Sequence, residues 1–108
     1  MQYTVFMLRE AEHDLETIFN YILGTGNPGA ARDMIRLIRQ ACDNLSQMPE
    51  RGRVPPELAR IDNHEYRQII VKSFRIIYQV VESSVFIFGI IHGRRNVEEV
   101  LRQRLLLP

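Results

Sequence analysis

The chain has 108 residues, 45% of them hydrophobic and 25% charged, with a formal net charge of +1. That length suits a single domain over residues 1–108, whose core buries roughly two-thirds of the surface exposed by the unfolded chain, and it excludes two large domains. The hydrophobic fraction excludes intrinsic disorder, and no apolar run approaches the roughly 20 residues of a bilayer span.

The first predicted element is a strand over Tyr3 to Leu8, a short β-branched and apolar run. Glu10, Glu12, Asp14 and Glu16 follow, placed where a helix N-terminus favours negative charge. Ala11, Leu15, Ile18, Phe19 and Ile22 then recur at helical spacing and form one apolar stripe. Gly24 ends this helix. Asn27 is the expected N-cap of a second helix, with Pro28 at its first position. The stripe Ala31, Met34, Ile35, Ile38, Ala41, Cys42, Leu45 and Met48 carries that helix to about Met48. Two amphipathic helices joined so tightly predict an antiparallel helical hairpin. Cys42 lies on the apolar stripe and reads as a buried core residue.

Pro49, Gly52, Pro55 and Pro56 break the periodicity, so residues 49–57 read as a loop containing Arg51-Gly52-Arg53. Residues 58–65 admit either a helical turn or an irregular edge. Three strands follow at Tyr66 to Lys72, Phe74 to Val81 and Val85 to Ile91, with turns at Ser73 and Glu82-Ser83-Ser84. The last of these runs is apolar on both faces, which predicts a central, covered strand. Gly89 within it marks a bulge or a close approach. A final helix begins at Asn96, with Glu99 completing a capping-box pattern and Glu98–Arg102 an i,i+4 pair. The tail Leu105-Leu106-Leu107 is more apolar than a free end requires. The fold class is therefore α+β, in the order β-α-α-β-β-β plus a C-terminal helix. A helical hairpin packs on one face of a small, mainly antiparallel sheet.

The net charge conceals two asymmetries. Thirteen of the 14 basic residues are arginine, and only Lys72 is lysine. Residues 1–50 hold four bases against seven acids, and residues 51–108 hold ten against six, so the balance shifts from −3 to +4 along the chain. An anionic partner is expected at the C-terminal half, where arginine forks pair well with carboxylate and phosphate. GC-rich coding explains the arginine excess equally well. No zinc-ligand spacing, glycine-rich phosphate loop or nucleophile elbow is present, so no metal or cofactor is expected.

These elements carry a pattern: Ala11-x-x-Asp14-Leu15-x-x-Ile18-x-x-Tyr21-Ile22, then Gly26-Asn27-Pro28-x-Ala30-Ala31, then Leu45-x-x-x-Pro49-x-x-Gly52-Arg53 and Pro56-Glu57-Leu58. It continues through Tyr66-Arg67-x-Ile69, Phe74-Arg75-Ile76-Ile77-Tyr78-x-Val80 and Ile91-His92-Gly93-Arg94-Arg95. In order and spacing it resembles the RelE/ParE superfamily of toxins from bacterial type II toxin–antitoxin modules, and its ParE branch in particular. The resemblance implies growth arrest through binding of DNA gyrase and trapping of its cleaved-DNA complex, as in plasmid-stabilisation modules, without catalysis by the toxin. It also implies a ParD-like antitoxin that wraps the toxin in a hetero-oligomer. The RelE branch implies a different mechanism, cleavage of mRNA on the ribosome. A third reading is an inactive remnant that only binds antitoxin.

RNA cleavage needs a base for the 2′-OH, an acid for the leaving 5′-oxygen and cations on the phosphate. His92, Arg67, Arg75 and Arg94 are the residues available for that alternative, with Tyr78 as a further part. The single lysine and the leucine-rich C-terminus count against it. On the gyrase reading there is no catalytic residue. Arg51, Arg53, Arg67, Arg75, His92, Arg94, Arg95 and Leu105 are then the candidates for target or antitoxin binding, with Arg67 and Arg75 lining one sheet face together with Arg94 and Arg95. Arg67 and Arg75 have a structural alternative, as ordinary surface arginines pairing with Glu57, Glu65 or Glu82. The start of the chain lacks the basic leader and long apolar stretch of a signal peptide. Its lone cysteine has no internal disulfide partner, so a cytoplasmic location without membrane contact is expected.

Overall fold

The computed structural model describes residues 2–106. Strand β1 (Thr4–Met7) leads into helices α1 (Arg9–Leu23) and α2 (Pro28–Asn44), and a short helix α3 (Pro56–Ala59) follows. Strands β2 (Arg67–Val71), β3 (Phe74–Val81) and β4 (Ser84–His92) come next, then helix α4 (Val97–Leu106). The sheet order is β1-β4-β3-β2, with β1 parallel to β4 and the other pairings antiparallel. The expected α+β fold is thus present, with one parallel pairing and one extra helix.

Local chemistry accounts for the helix limits. Asn27 accepts a hydrogen bond from the Ala30 N–H at 3.0 Å, and Pro28 opens α2 where its missing N–H is harmless. α2 stops at Asn44 rather than near Met48. Leu45, Ser46 and Gln47 each donate to the carbonyl three residues back, and the Ser46 carbonyl accepts from the Tyr3 N–H at 2.8 Å. The chain beside β1 thus takes the last carbonyl of the tightened turn, and Met48 is left exposed. At α4, Asn96 caps the Glu99 N–H at 3.0 Å, and Glu98 pairs with Arg102 at 3.1 Å as the spacing predicts. Leu107 of the apolar tail lies outside the described residues.

Each face of the sheet carries its own core. On one face Ile69, Ile76, Tyr78, Val85, Ile87 and Ile90 pack with Ala11, Leu15, Ile18, Ile38 and Cys42 of the helical hairpin. On the other, Ile77 and Ile91 pack with Leu58, Val97, Val100 and Leu101. β4 is central and covered on both faces, which is why its sequence does not alternate. The β3–β4 register steps from Ile77↔Gly89 to Tyr78↔Ile87, so Phe88 is the extra residue of a bulge. The bulge switches parity, so Ile87 and Ile90 share one face.

Burial pushes the Cys42 thiol up to about 12, with the Asp43 carboxylate adding to the effect. Thiolate is the reactive form. Cys42 in the folded protein should therefore label with a thiol reagent only after addition of denaturant. Rapid stoichiometric labelling of the native chain would contradict this packing.

Candidate functional site

Two arginine-centred clusters form at opposite ends of the β2–β3 hairpin. At the first, the fully buried Tyr78 donates its hydroxyl proton to the Pro49 carbonyl at 2.8 Å and accepts from the Gly52 N–H at 2.9 Å. Burial raises the Tyr78 pKa, so the hydroxyl keeps the proton it donates. Arg67 donates to the carbonyls of Gly52 at 2.8 Å and Glu50 at 3.3 Å. Arg53 exchanges backbone bonds with Gln68 at 3.0 and 2.7 Å. A Cβ on Gly52 would lie 2.5 Å from the Gln68 carbonyl oxygen, so only glycine allows this close approach. The loop expected at residues 49–57 ends at Pro55, immediately before α3; it is pinned to the sheet and presents Arg51 and Arg53 to solvent.

Arg75 organises the second cluster. Its Nη1 and Nη2 grip both carboxylate oxygens of Glu57 at 2.8 and 2.7 Å, and its Nε donates to Gln68 Oε1 at 2.8 Å. Nη1 also reaches the carbonyls of Arg95 at 3.1 Å and Gly93 at 3.5 Å. Glu57 Oε2 in turn accepts from the Val97 N–H at 3.0 Å, at the start of α4. The two side chains are only 9% and 13% exposed. The Arg75 guanidinium holds the Glu57 carboxyl down at about 2, outweighing burial, and the Val97 N–H adds to the lowering. The pair ties α3, β3, the loop after β4 and the start of α4 together.

That loop carries the exposed His92, Arg94 and Arg95. His92 Nδ1 accepts from the Arg94 N–H at 3.2 Å, and the His92 ring meets Phe74 edge-on at 6.1 Å. Among the described residues, neither Arg94 nor Arg95 pairs with a carboxylate. Leu105, near the end of α4, is 47% exposed.

The sequence-expected residues therefore separate. Arg67 and Arg75 do not share a sheet face. Arg67 stands opposite Tyr78 on the helical-hairpin side, whereas Arg75 points to the α3 and α4 side with Ile77. The reason is parity, since their cross-strand partners Tyr78 and Ile70 fall on opposite faces. Arg75 is also not a surface group, because its donors are taken within the fold. Gln68 has no sequence signal for its part here, and neither does the bidentate pair of Asp14 with Arg104, 90 positions apart. Among the described residues, no group of three His, Cys, Asp or Glu side chains could hold a metal ion. No helix there is long and apolar enough to cross a membrane.

This α+β fold with its four-stranded mixed sheet matches solved structures from ParE and RelE systems. The toxin–antitoxin system ParDE encoded on the chromosome of P. aeruginosa contains a chain that superposes with a TM-score of 0.71 at 18% identity. That match covers 84% of this chain and 96% of that one. A chain of the RelBE2 toxin–antitoxin complex from Mycobacterium tuberculosis superposes with a TM-score of 0.56 at 20% identity, covering 85% and 99%. No curated protein sequence matches. The family profile described as ParE toxin of the type II toxin–antitoxin system parDE matches residues 5–97, and the chain belongs to that family.

The Glu57 carboxyl is depressed from 4.5 to about 2, so its contribution to stability is complete above pH 4.5 and fades as the pH falls toward 2. E57Q should lose on the order of 3 kcal/mol of unfolding free energy at neutral pH, because it leaves a buried arginine unpaired. Denaturant titrations should show the difference between wild type and E57Q shrinking through that acid window. A difference independent of pH would contradict the ionic role. Y78F, which strands the Gly52 N–H and the Pro49 carbonyl, should lose about 1–3 kcal/mol in the same titration.

Proposed function

We propose that this ParE-family toxin binds and inhibits DNA gyrase, trapping the cleaved-DNA complex without catalysis of its own, and that a ParD-like antitoxin neutralises it. One observation carries the non-catalytic part. Arg75, one of the strand arginines that a nuclease would set on phosphate, is engaged instead by Glu57, Gln68 and backbone carbonyls. A guanidinium already paired bidentately with a buried carboxylate has little left to offer a transition state. His92, the one available base, spends Nδ1 on the turn that follows it.

What remains for recognition is a set of exposed cations on pinned loops: Arg51 and Arg53 on one, Arg94 and Arg95 on the other. Rigid loops bearing unpaired arginine suit a large anionic partner, because little ordering entropy is lost on binding. The antitoxin has a place to sit that overlaps this set at Arg95. A groove of about 570 Å³ runs between α1 and the end of β4, floored by Ile18, Ile22, Met34 and Phe74, with His92 and Arg95 at its rim. An amphipathic segment with acidic residues fits a groove of that character. The solved ParDE and RelBE2 systems are toxin–antitoxin assemblies, which supports an antitoxin for this chain too.

The purified toxin, freed of antitoxin, should block supercoiling by gyrase and accumulate cleaved DNA. Failure of both, together with cuts in mRNA on translating ribosomes, would replace this reading with the RelE mechanism. Failure to arrest growth on expression alone would mark an inactive, antitoxin-binding remnant. R94A/R95A should keep its fold and need about tenfold more protein for half-inhibition, the loss of roughly 1.4 kcal/mol of binding. H92A should retain toxicity.

A further inference from the structure

β1 accompanies β4 only over the register Ser84 to Ile87. The Leu8 N–H still donates to the Ile87 carbonyl at 3.1 Å, and the chain then turns away into α1. Among the described residues, β4 runs on from Phe88 to His92 with no strand beside it on that edge. Such an edge is a template for strand addition, and this one follows the apolar, β-prone run Val85-Phe86-Ile87.

Two side chains occupy the empty lane. Asp14 Oδ2 accepts from the Ile90 N–H at 2.9 Å, and Arg104 Nη1 donates to the Phe88 carbonyl at 3.2 Å. The two also grip each other bidentately at 2.8 and 2.8 Å, with side chains only 12% and 18% exposed. Gly89 makes room for them, since a Cβ there would lie 2.7 Å from Arg104 Nη1. The bulge at Phe88 sets the backbone groups that the pair uses. Asp14 belongs to the helical layer on one face of the sheet and Arg104 to the layer on the other, so the pair spans the sheet edge.

We propose that Asp14 and Arg104 form an edge clasp that keeps the chain monomeric by denying the Phe88–His92 edge to a second copy of itself. The partner is a second copy because the edge is self-complementary. Two such edges related by a twofold axis pair antiparallel, and each chain offers the other the same donors and acceptors. The opposite edge of the sheet is protected differently. There Arg53 is bridged to β2 at Gln68, and the cations Arg67 and Lys72 bracket that strand.

The test combines amide hydrogen exchange with sedimentation on the full chain. Wild type should be monomeric, with a slowly exchanging Ile90 amide despite its outward direction. In D14A and R104Q that amide should exchange at least tenfold faster while the core amides of Ile76 and Ile87 stay protected. Both variants should dimerise at concentrations where wild type does not, with the His92 amide gaining protection in the dimer. G89A, whose methyl displaces the guanidinium without removing any charge, should do the same and stands in for any variant that fails to fold. Unchanged Ile90 exchange in the folded variants would overturn the clasp. Variants that lose Ile90 protection yet stay monomeric, or a wild type that already dimerises through this edge, would overturn its role against self-association.

Discussion

The contact on which the second half of the molecule depends is the buried pair between Arg75 and Glu57. A bidentate arginine–carboxylate pair in a nearly dry site is strong only if its remaining donors and lone pairs are also satisfied. Here Gln68, the carbonyls of Gly93 and Arg95, and the Val97 N–H take up most of them. Among the described residues, no buried side-chain nitrogen or oxygen lacks a partner. Glu57, Gln68 and the loop from Gly93 to Arg95 therefore converge on one guanidinium. The path of the His92–Asn96 loop and the start of α4 follow from it.

That internal use of charge sets three arginines apart from the four on the loops around them. Arg67, Arg75 and Arg104 hold backbone carbonyls and carboxylates, and they build the molecule. Arg51, Arg53, Arg94 and Arg95 sit on loops that the first group has immobilised, and they face outward. Arginine serves both tasks because its planar fork is weakly hydrated and can satisfy several acceptors at once. In this ParE-family chain those four arginines sit on pre-ordered loops, which lose little entropy on meeting a partner.

Much of this was legible in the sequence, for identifiable reasons. The 3.6-residue stripe from Ala11 to Ile22 and the Asn27-Pro28 start are local signals, and local signals marked the helical hairpin. Uninterrupted apolarity identified β4 as the central strand, and Gly89 flagged the irregularity beside Phe88. The end of α2 falls short of its apolar stripe, where the Ser46 carbonyl accepts from the Tyr3 N–H, a partner more than 40 positions away that no local pattern signals. The roles of Arg67 and Arg75 were harder to read. Face assignment needs the pairing register, and a guanidinium bound to a carboxylate 18 positions upstream reads in sequence like any other surface cation.

The most direct test of the central claim is a double-mutant cycle between Glu57 and Arg75, read as unfolding free energy in denaturant. If the pair organises the fold, E57A and R75A should each destabilise the chain, and the double variant should lose much less than their sum. The coupling energy should be about 2 kcal/mol or more. Additive losses, with coupling near zero, would mean that the two side chains act independently. Arg75 would then be free for a partner, contrary to this account.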